Sequence, residues 1–196
     1  GYGELWLRMA DAIKNNIEYS KTVKKIDFTN KIVRTTDGEK YQADVIITTI
    51  PWMEFDEITG MPEDIKSSIH ELKFSSIQTE YFSENLNTQC QWIYYPDPKL
   101  SYHRILVRHN FCPNSRGYWT ETNSERISME EPNNNFKYMN QYAYPLNTVK
   151  KPEIMKKLLL WSKEKGVIGL GRWGEHQHYN SDVTVDLAMK LTQELK

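Results

Sequence analysis

The chain opens with apolar positions that recur every four residues. Leu5, Met9 and Ile13 have the spacing of one helix face, so the sequence predicts a helix there. Two short runs rich in β-branched residues follow at residues 23–28 and 32–36, and a polar triplet separates them. This arrangement predicts a β-hairpin.

The middle of the chain has a different pattern. A predicted helix begins at Pro62, and from Phe74 to about Leu146 short, aromatic, alternating segments are separated by polar loops. Alternation of this kind is typical of antiparallel sheet. The predicted strand segments are residues 74–82, 90–95, 102–111, 117–122 and 136–146.

Helix character returns near the end of the chain. Pro152 opens a predicted helix that Gly166 ends, and the next two residues, 167–168, predict a short strand. Asp182 is the predicted N-cap of a final helix. The lysines just before Pro152, Lys150 and Lys151, are predicted to be solvated.

The order of these elements predicts the fold class. Residues 43–50 form a continuous apolar and β-branched run that Pro51 stops, which fits a strand buried on both faces of a parallel sheet. The order is then α/β, antiparallel β and α/β again. We predict a mixed α/β (α+β) fold in which residues 61–150, mostly antiparallel sheet, are inserted between residues 1–60 and 151–196 of one layered α/β domain.

Composition excludes several classes of protein. The 196 residues include 25 basic and 26 acidic side chains, so a polycation for nucleic acid or a membrane surface is excluded. Cys90 and Cys112 are too few for a multi-disulfide scaffold or a four-thiolate zinc site. No apolar run could span a bilayer and no secretory leader is visible, so we expect a cytoplasmic protein. The start at Gly1, without Met, indicates a piece of a longer protein.

Residues 169–174 match the pattern G-x-G-x-x-G after a predicted strand. A dinucleotide fingerprint needs a helix at once and an acidic residue after a second strand, and the remaining chain is too short for that unit. We interpret the segment as a glycine-lined turn that lets backbone approach a ligand. The first turn of the final helix, near Asp182, Val183 and Thr184, suits a phosphate or a reduced flavin, or is simply a capped helix.

Trp92 and Tyr94 are two residues apart, so on a strand they share a face. With Arg104 nearby, this face suits a nucleotide-sugar, because rings stack and a guanidinium binds phosphate. The alternative is a core aromatic pair with a surface arginine. His176 and His178 lack a convincing third ligand, so no metal site is predicted.

Several ordered motifs resemble those of amine-oxidase-type FAD enzymes and, within that group, of UDP-galactopyranose mutases. The motifs common to the larger group are YGELW (2–6), VKKI (23–26), DG (37–38) and ADVIITTIP (43–51). Those similar to the mutases are WIYYP (92–96), YHR (102–104), YAYPL (142–146), GRWG (171–174) and NSDVT (180–184).

The resemblance implies a partial FAD-binding layered domain with an inserted substrate domain. It implies FAD, reduced for activity, a UDP-hexose substrate and interconversion of UDP-galactopyranose and UDP-galactofuranose, with flavin N5 rather than a side chain as nucleophile. It also implies a partner segment outside this chain, the N-terminal glycine-rich FAD-binding part of the same protein. No nucleic-acid partner is implied, and homo-oligomerisation is left open.

The resemblance also implies roles for individual residues. Trp92 and Tyr94 would line the sugar-nucleotide pocket, and Arg104 and Arg172 would neutralise the diphosphate. His178 stands where the mutases usually have a tyrosine. The substrate-binding residues implied are Trp92, Tyr94, Arg104, Tyr144, Arg172 and His178. The cofactor-binding residues implied are Val23, Gly171, Asp182, Val183 and Thr184.

Two other functions are compatible with the same residues. One is an amine-oxidase-type FAD oxidoreductase that acts on another substrate. The other is a non-enzymatic module whose aromatic sheet binds a glycan.

Overall fold

The computed structural model describes residues 2–127 and 135–195. The predicted loop at residues 132–135 therefore lies largely outside the described residues. The strands are β1 (Val23–Asp27), β2 (Ile32–Thr35), β3 (Lys40–Gln42), β4 (Ile46–Thr48), β5 (Glu57–Thr59), β6 (Phe74–Phe82), β7 (Trp92–Tyr94), β8 (Tyr102–Leu106), β9 (Tyr118–Asn123), β10 (Lys137–Pro145) and β11 (Val167–Gly169). The helices are α1 (Tyr2–Ala12), α2 (Glu63–Ile69), α3 (Arg108–Phe111), α4 (Lys151–Glu164), α5 (Gly171–Gly174) and α6 (Ser181–Glu194).

The chain divides into two compact units. The layered unit comprises Tyr19–Phe74 and Tyr144–Lys196, and the sheet unit comprises Gly1–Glu18 and Ser75–Ala143. The mixed α/β fold class with an antiparallel sheet is as the sequence predicts.

The layered unit contains two sheets. Strands β1 and β2 form the predicted antiparallel hairpin, with Ile26 opposite Val33. Strand β1 also pairs with β5 in parallel, and β3 extends the sheet at β2, which gives the order β3-β2-β1-β5. The second sheet is the parallel pair β4–β11, in which Ile46 lies opposite Val167. The predicted parallel strand and the predicted short strand after Gly166 therefore pair with each other.

Strand β4 differs from its prediction in length and burial. It has three residues, and the Ile47 side chain is 44% exposed. The expectation of a strand buried on both faces is wrong among the described residues, because the face that carries Ile47 is open to solvent. Helix α4 covers one side of it, where Leu158 and Val167 are fully buried.

An aromatic core joins the two halves of the layered unit. The rings of Phe28 and Trp161 lie 4.6 Å apart between centroids. Trp52 is 1% exposed, and its indole Nε1 donates a hydrogen bond of 2.8 Å to the Gly174 carbonyl oxygen. A residue before the inserted sheet thus fixes the backbone of a turn 122 positions later in the chain.

The sheet unit is a five-stranded sheet in the order β10-β6-β9-β8-β7. Strand β6 occupies the predicted residues 74–82, and the pairs β6–β9, β9–β8 and β8–β7 are antiparallel as predicted. A bulge between Tyr102 and Arg104 changes the face on which the following side chains lie.

Two element boundaries correct the prediction. The strand predicted for residues 102–111 ends at Leu106, and α3 follows. This turn lets the Asn110 amide donate to the carbonyl oxygens of Thr88 and Cys90, at 2.8 and 2.7 Å. The predicted N-cap at Asp182 is also wrong, because α6 begins at Ser181 and its N-cap is Asn180.

The helix predicted at the start of the chain is present as α1 and ends one residue before Ile13. Its apolar positions Leu5 and Met9, and Ile13 after it, are each about half exposed. In the described ranges, no helix combines the length and the hydropathy that crossing a bilayer requires.

Replacing Trp52 by Phe is expected to lower the free energy of unfolding by about 1–3 kcal/mol, because the buried Gly174 carbonyl loses its indole donor. Denaturant unfolding measures the change. Trp92→Phe, at an exposed position, is the matched control and is expected to stay within about 0.5 kcal/mol of wild type. Equal effects of the two substitutions would contradict the anchoring role of Trp52.

Candidate functional site

Trp92 and Tyr94 lie on one exposed face of the sheet unit. Their exposed fractions are 52% and 61%, so the alternative of a core aromatic pair is wrong. The Phe111 ring stacks against Trp92 with 5.7 Å between centroids and an interplanar angle of 29°. These three rings, called the aromatic platform below, present flat apolar surface to solvent.

Arg104 lies beside the aromatic platform, directly opposite Tyr94 on β7 and Glu121 on β9. Its Nη1 donates to the Tyr94 hydroxyl at 3.2 Å. Its Nε and Nη2 lie 2.7 and 2.6 Å from Glu121 Oε2. The structure thus brings together the three predicted residues of this unit, and adds a buried carboxylate that the sequence analysis did not single out.

His103 is the other titratable group at this carboxylate. Its Nε2 lies 3.9 Å from Glu121 Oε2. Burial lowers the pKa of His103, and the nearby Glu121 charge opposes that shift only in part. At neutral pH Glu121 is therefore paired with Arg104 rather than shared with an imidazolium.

The opposite face of the same sheet encloses a cavity of about 300 Å³ that sequence reasoning missed. Tyr118 lies in its wall, stacked on Phe82 with centroids 4.9 Å apart, and burial raises the pKa of Tyr118. None of the predicted site residues lines this cavity.

Three predicted substrate residues form one cluster in the layered unit. The Arg172 guanidinium carbon lies 5.3 Å from the centroid of the Tyr144 ring. The Tyr144 and His178 rings meet edge to face at 4.9 Å. The Arg172 Nε and Nη2 donate to the Tyr179 carbonyl oxygen at 3.2 and 2.8 Å, which fixes the guanidinium plane. We call Tyr144, Arg172 and His178 the arginine cluster.

The glycines on either side of Arg172 are required by the protein's own backbone. A Cβ atom on Gly169 would lie 2.3 Å from the Gly174 carbonyl oxygen, and one on Gly174 would lie 2.3 Å from the Thr48 carbonyl oxygen. Both distances are far below van der Waals contact. The interpretation of this segment as a turn approached by a ligand is therefore corrected for Gly169 and Gly174.

Two buried side chains support the loop that carries the arginine cluster. His176 is 1% exposed, has a backbone φ of +49°, and its Nε2 lies 3.1 Å from the Lys73 carbonyl oxygen. Lys151 is 3% exposed, and its Nζ donates to Asn147 Oδ1 at 2.8 Å and to Gln177 Oε1 at 3.3 Å. The expectation of a solvated Lys151 is wrong, because this helix start packs against the loop.

Lys151 is connected to the arginine cluster by two successive hydrogen bonds, the second of them between backbone atoms. Gln177, whose side chain accepts from Lys151, donates its backbone N–H to the Arg172 carbonyl oxygen at 2.8 Å. Burial lowers the pKa of Lys151. Among the described residues no group of three or more His, Cys, Asp or Glu side chains could hold a metal ion.

Four of the predicted cofactor residues lie together at the start of α6. Asp182, Val183 and Thr184 form its first turn, and a Cβ atom on Gly171 would lie 3.0 Å from Thr184 Cγ2. The Thr184 N–H donates to the Asn180 carbonyl oxygen at 3.1 Å. The N–H groups before it, at residues 181–183, have no acceptor within the helix, so they are the donors that this turn offers to a ligand. The fifth residue, Val23, lies in β1 opposite Thr35 and packs against the core.

Glu175 lies between α5 and this turn. Its Oε2 accepts a hydrogen bond of 3.0 Å from the Gly171 N–H. Burial raises the pKa of Glu175, and the hydrogen bond opposes that shift.

Comparison with known proteins identifies the fold. Residues 1–80, fewer than half of the chain, match the family model for flavin containing amine oxidoreductases. No curated protein sequence matches the chain. Solved structures do match. Reduced UDP-galactopyranose mutase aligns with a TM-score of 0.64 and 15% identity, over 81% of this chain and 41% of that one.

Two other solved structures align at similar levels. The CLA-producing fatty acid isomerase of P. acnes has a TM-score of 0.62 and 11% identity, over 89% of this chain and 47% of that one. A putative protoporphyrinogen oxidase from Exiguobacterium sp. 255-15 has a TM-score of 0.56 and 12% identity, over 89% and 46%. The chain thus spans less than half the length of these proteins. At such identities the likeness shows a shared fold. The family match over residues 1–80 additionally indicates a flavin cofactor.

Stability is expected to fall as the pH drops below about 6.5, because burial holds the pKa of His176 under its ordinary value of 6.5 and the Lys151 charge lowers it further. The unfolded chain then binds a proton that the folded chain rejects. His176→Asn, which tolerates a positive φ, should reduce the loss of Tm between about pH 7.5 and pH 5.5. Thermal melts at both values measure it.

His70→Asn is the control, since His70 is exposed at the end of α2. It should leave the pH dependence of Tm as in wild type. An identical loss of Tm in His176→Asn and in wild type would contradict the role of His176.

Proposed function

We propose that this chain is the carboxyl-terminal part of a flavin-dependent enzyme that acts on a UDP-hexose. The reaction we propose is the interconversion of UDP-galactopyranose and UDP-galactofuranose. The observation that carries the proposal is the arginine cluster, of which Arg172 and His178 lie just before the start of α6 in the chain. A site for a phosphorylated substrate and a site for a ring cofactor are thereby linked by fewer than ten residues.

The arginine cluster has the chemistry that a diphosphate requires. A guanidinium donates to phosphate oxygens in a fixed fork, and Arg172 is already oriented by the Tyr179 carbonyl. The Tyr144 hydroxyl and the His178 imidazole are further donors in the same cluster. Imidazole can donate to phosphate in place of a phenol, which supports His178 in the position of the expected tyrosine.

The start of α6 fits one edge of a flavin. Its first-turn N–H groups and its positive dipole end favour an acceptor or a negative charge. Gly171 lies next to Thr184 and has no side chain, so on that side only the Gly171 backbone borders the turn. Reduced flavin, when bound, supplies the electron-rich centre of the reaction, so no side chain is needed as nucleophile. The residues described here bind and orient the substrate.

We infer that the phosphates of FAD are held by a segment outside these 196 residues. In the G-x-G-x-x-G segment of this chain, Gly169 and Gly174 pack against the protein's own backbone, which leaves no room there for a phosphate. This chain also covers only 41% and 47% of the two aligned structures, so more than half of each lies outside the alignment. The 196-residue chain alone is therefore expected to retain little FAD, and a flavin absorbance band in the purified chain would contradict this inference.

A second function, an oxidoreductase of the amine-oxidase type, is favoured by the family match of residues 1–80. The two functions differ in electron balance. The mutase reaction consumes no net electrons, whereas an oxidoreductase transfers them to oxygen or another acceptor.

Turnover by the complete gene product tests the proposal. With dithionite-reduced FAD and UDP-galactofuranose, we expect UDP-galactopyranose to appear without net oxidation of the flavin. A flavin-loaded protein that forms no UDP-galactopyranose, but reduces oxygen with an amine or another donor, would overturn the mutase in favour of the oxidoreductase.

Arg172→Gln is expected to weaken UDP binding about tenfold to hundredfold, because a charge-assisted hydrogen bond contributes about 1.5–3 kcal/mol. Titration calorimetry with UDP measures the change. The control is Arg8→Gln, since Arg8 on α1 has a side chain that is 78% exposed. Equal UDP affinity in Arg172→Gln and in the control would remove the arginine cluster from the substrate site.

A further inference from the structure

We propose that the row Tyr94–Arg104–Glu121 binds the hydroxyl groups of a neutral sugar ring stacked on the aromatic platform, and that Arg104 does not hold the diphosphate. This inference goes beyond the proposed function, since it needs neither flavin nor turnover. It replaces the diphosphate role that the family resemblance implies for Arg104.

The three side chains form a continuous polar row across three strands. Tyr94 on β7 lies opposite Arg104 on β8, and Arg104 lies opposite Glu121 on β9. The Tyr94 hydroxyl accepts from Arg104 Nη1 at 3.2 Å, and Glu121 Oε2 lies 2.7 Å from Nε and 2.6 Å from Nη2. The guanidinium is thus held on two sides within the sheet.

The charge of this row sums to zero. Glu121 is 7% exposed, so its carboxylate is poorly solvated and interacts with Arg104 more strongly than a surface pair would. A phosphate that approached Arg104 would meet a carboxylate oxygen 2.6 Å from the same guanidinium nitrogen. Attraction to the cation and repulsion from the anion largely cancel, so the row has little affinity for a dianion.

A neutral hydroxyl, unlike a phosphate, is not repelled by the Glu121 carboxylate. The guanidinium N–H groups donate, and the exposed Tyr94 hydroxyl can both donate and accept, so a sugar hydroxyl can give and receive a hydrogen bond here while the buried Glu121 balances the charge. Donor and acceptor groups side by side on Tyr94 and Arg104 match the vicinal hydroxyls of a sugar ring. Because the row carries no net charge, such a ligand needs no counter-ion.

The aromatic platform supplies the apolar half of the same site. Trp92 and Tyr94 lie two residues apart on one strand face, about 6.6–6.8 Å along the strand, which suits a single six-membered ring. Phe111 stacks on Trp92 and extends the surface. Aromatic side chains of this kind combine a flat apolar face with a polar tip, as a sugar does.

The experiment titrates the 196-residue chain with two probes, methyl β-galactopyranoside and inorganic pyrophosphate, and follows the Trp92 indole N–H by NMR. In wild type we expect the sugar to shift this resonance and pyrophosphate to leave it in place. In Glu121→Gln the cation loses its counter-ion, and we expect pyrophosphate affinity to rise at least tenfold with a steeper dependence on salt. Glu121→Gln with Arg104→Gln should lose that gain.

Glu80→Gln is the matched control. Glu80 is another largely buried carboxylate of the same sheet, it lies 3.8 Å from Lys137, and it faces the cavity rather than the aromatic platform. We expect no gain of pyrophosphate binding there. Tyr94→Phe, at an exposed position, tests the row without disturbing the buried pair and should weaken the sugar-induced shift severalfold.

Two results would overturn the inference. One is binding of pyrophosphate to wild type that is as tight as to Glu121→Gln and is lost in Arg104→Gln. The other is a Trp92 resonance that the sugar does not move in wild type. If circular dichroism shows that Glu121→Gln does not fold, the sugar-induced and pyrophosphate-induced shifts of the Trp92 resonance in wild type and in Tyr94→Phe decide between the outcomes. Absence of flavin or of turnover would not alter these shifts, so the proposed function can fail separately.

Discussion

The layered unit depends on one close approach of backbone to backbone. Thr48 on β4, Gly169 on β11 and Gly174 on α5 lie so close that a Cβ atom on either glycine would be 2.3 Å from a carbonyl oxygen. Trp52 donates its indole N–H to the same Gly174 carbonyl. The chain therefore leaves β11 at a fixed point and in a fixed direction, and the loop from Arg172 to α6 is built from there.

Side chains from outside that loop complete it. Lys151 at the start of α4 reaches Gln177, and His176 reaches the Lys73 carbonyl. Although the buried His176 Nδ1 has no hydrogen-bond partner among the described residues, Lys151 Nζ and His176 Nε2 are both hydrogen-bonded, and these contacts hold the conformation of the loop. The arginine cluster is thus preorganised for a ligand, which lowers the entropic cost of binding.

Local patterns predict much of this fold and only part of the site. The alternation in residues 74–82 and the hairpin before residue 36 are periodic over several positions, and the structure has both. The sharing of one face by Trp92 and Tyr94 follows from the same periodicity. What the sequence does not reveal is which distant residues meet. Glu121 is 17 positions from Arg104, and Gln177 is 26 positions from Lys151. Pairing at such separations is decided by strand order and packing, so the neutralised arginine and the buried lysine emerge only in three dimensions.

The most direct test of this account is the stability of Gly174→Ala. A Cβ atom at this position would strike the Thr48 carbonyl oxygen, so we predict a loss of about 1–3 kcal/mol or more in the free energy of unfolding. The Trp52 indole N–H resonance should shift as its acceptor moves. Gly3→Ala on α1, where a Cβ atom would meet no other atom within 4 Å, should do neither. Unchanged stability and an unchanged Trp52 resonance in Gly174→Ala would show that the close approach does not hold the loop in place.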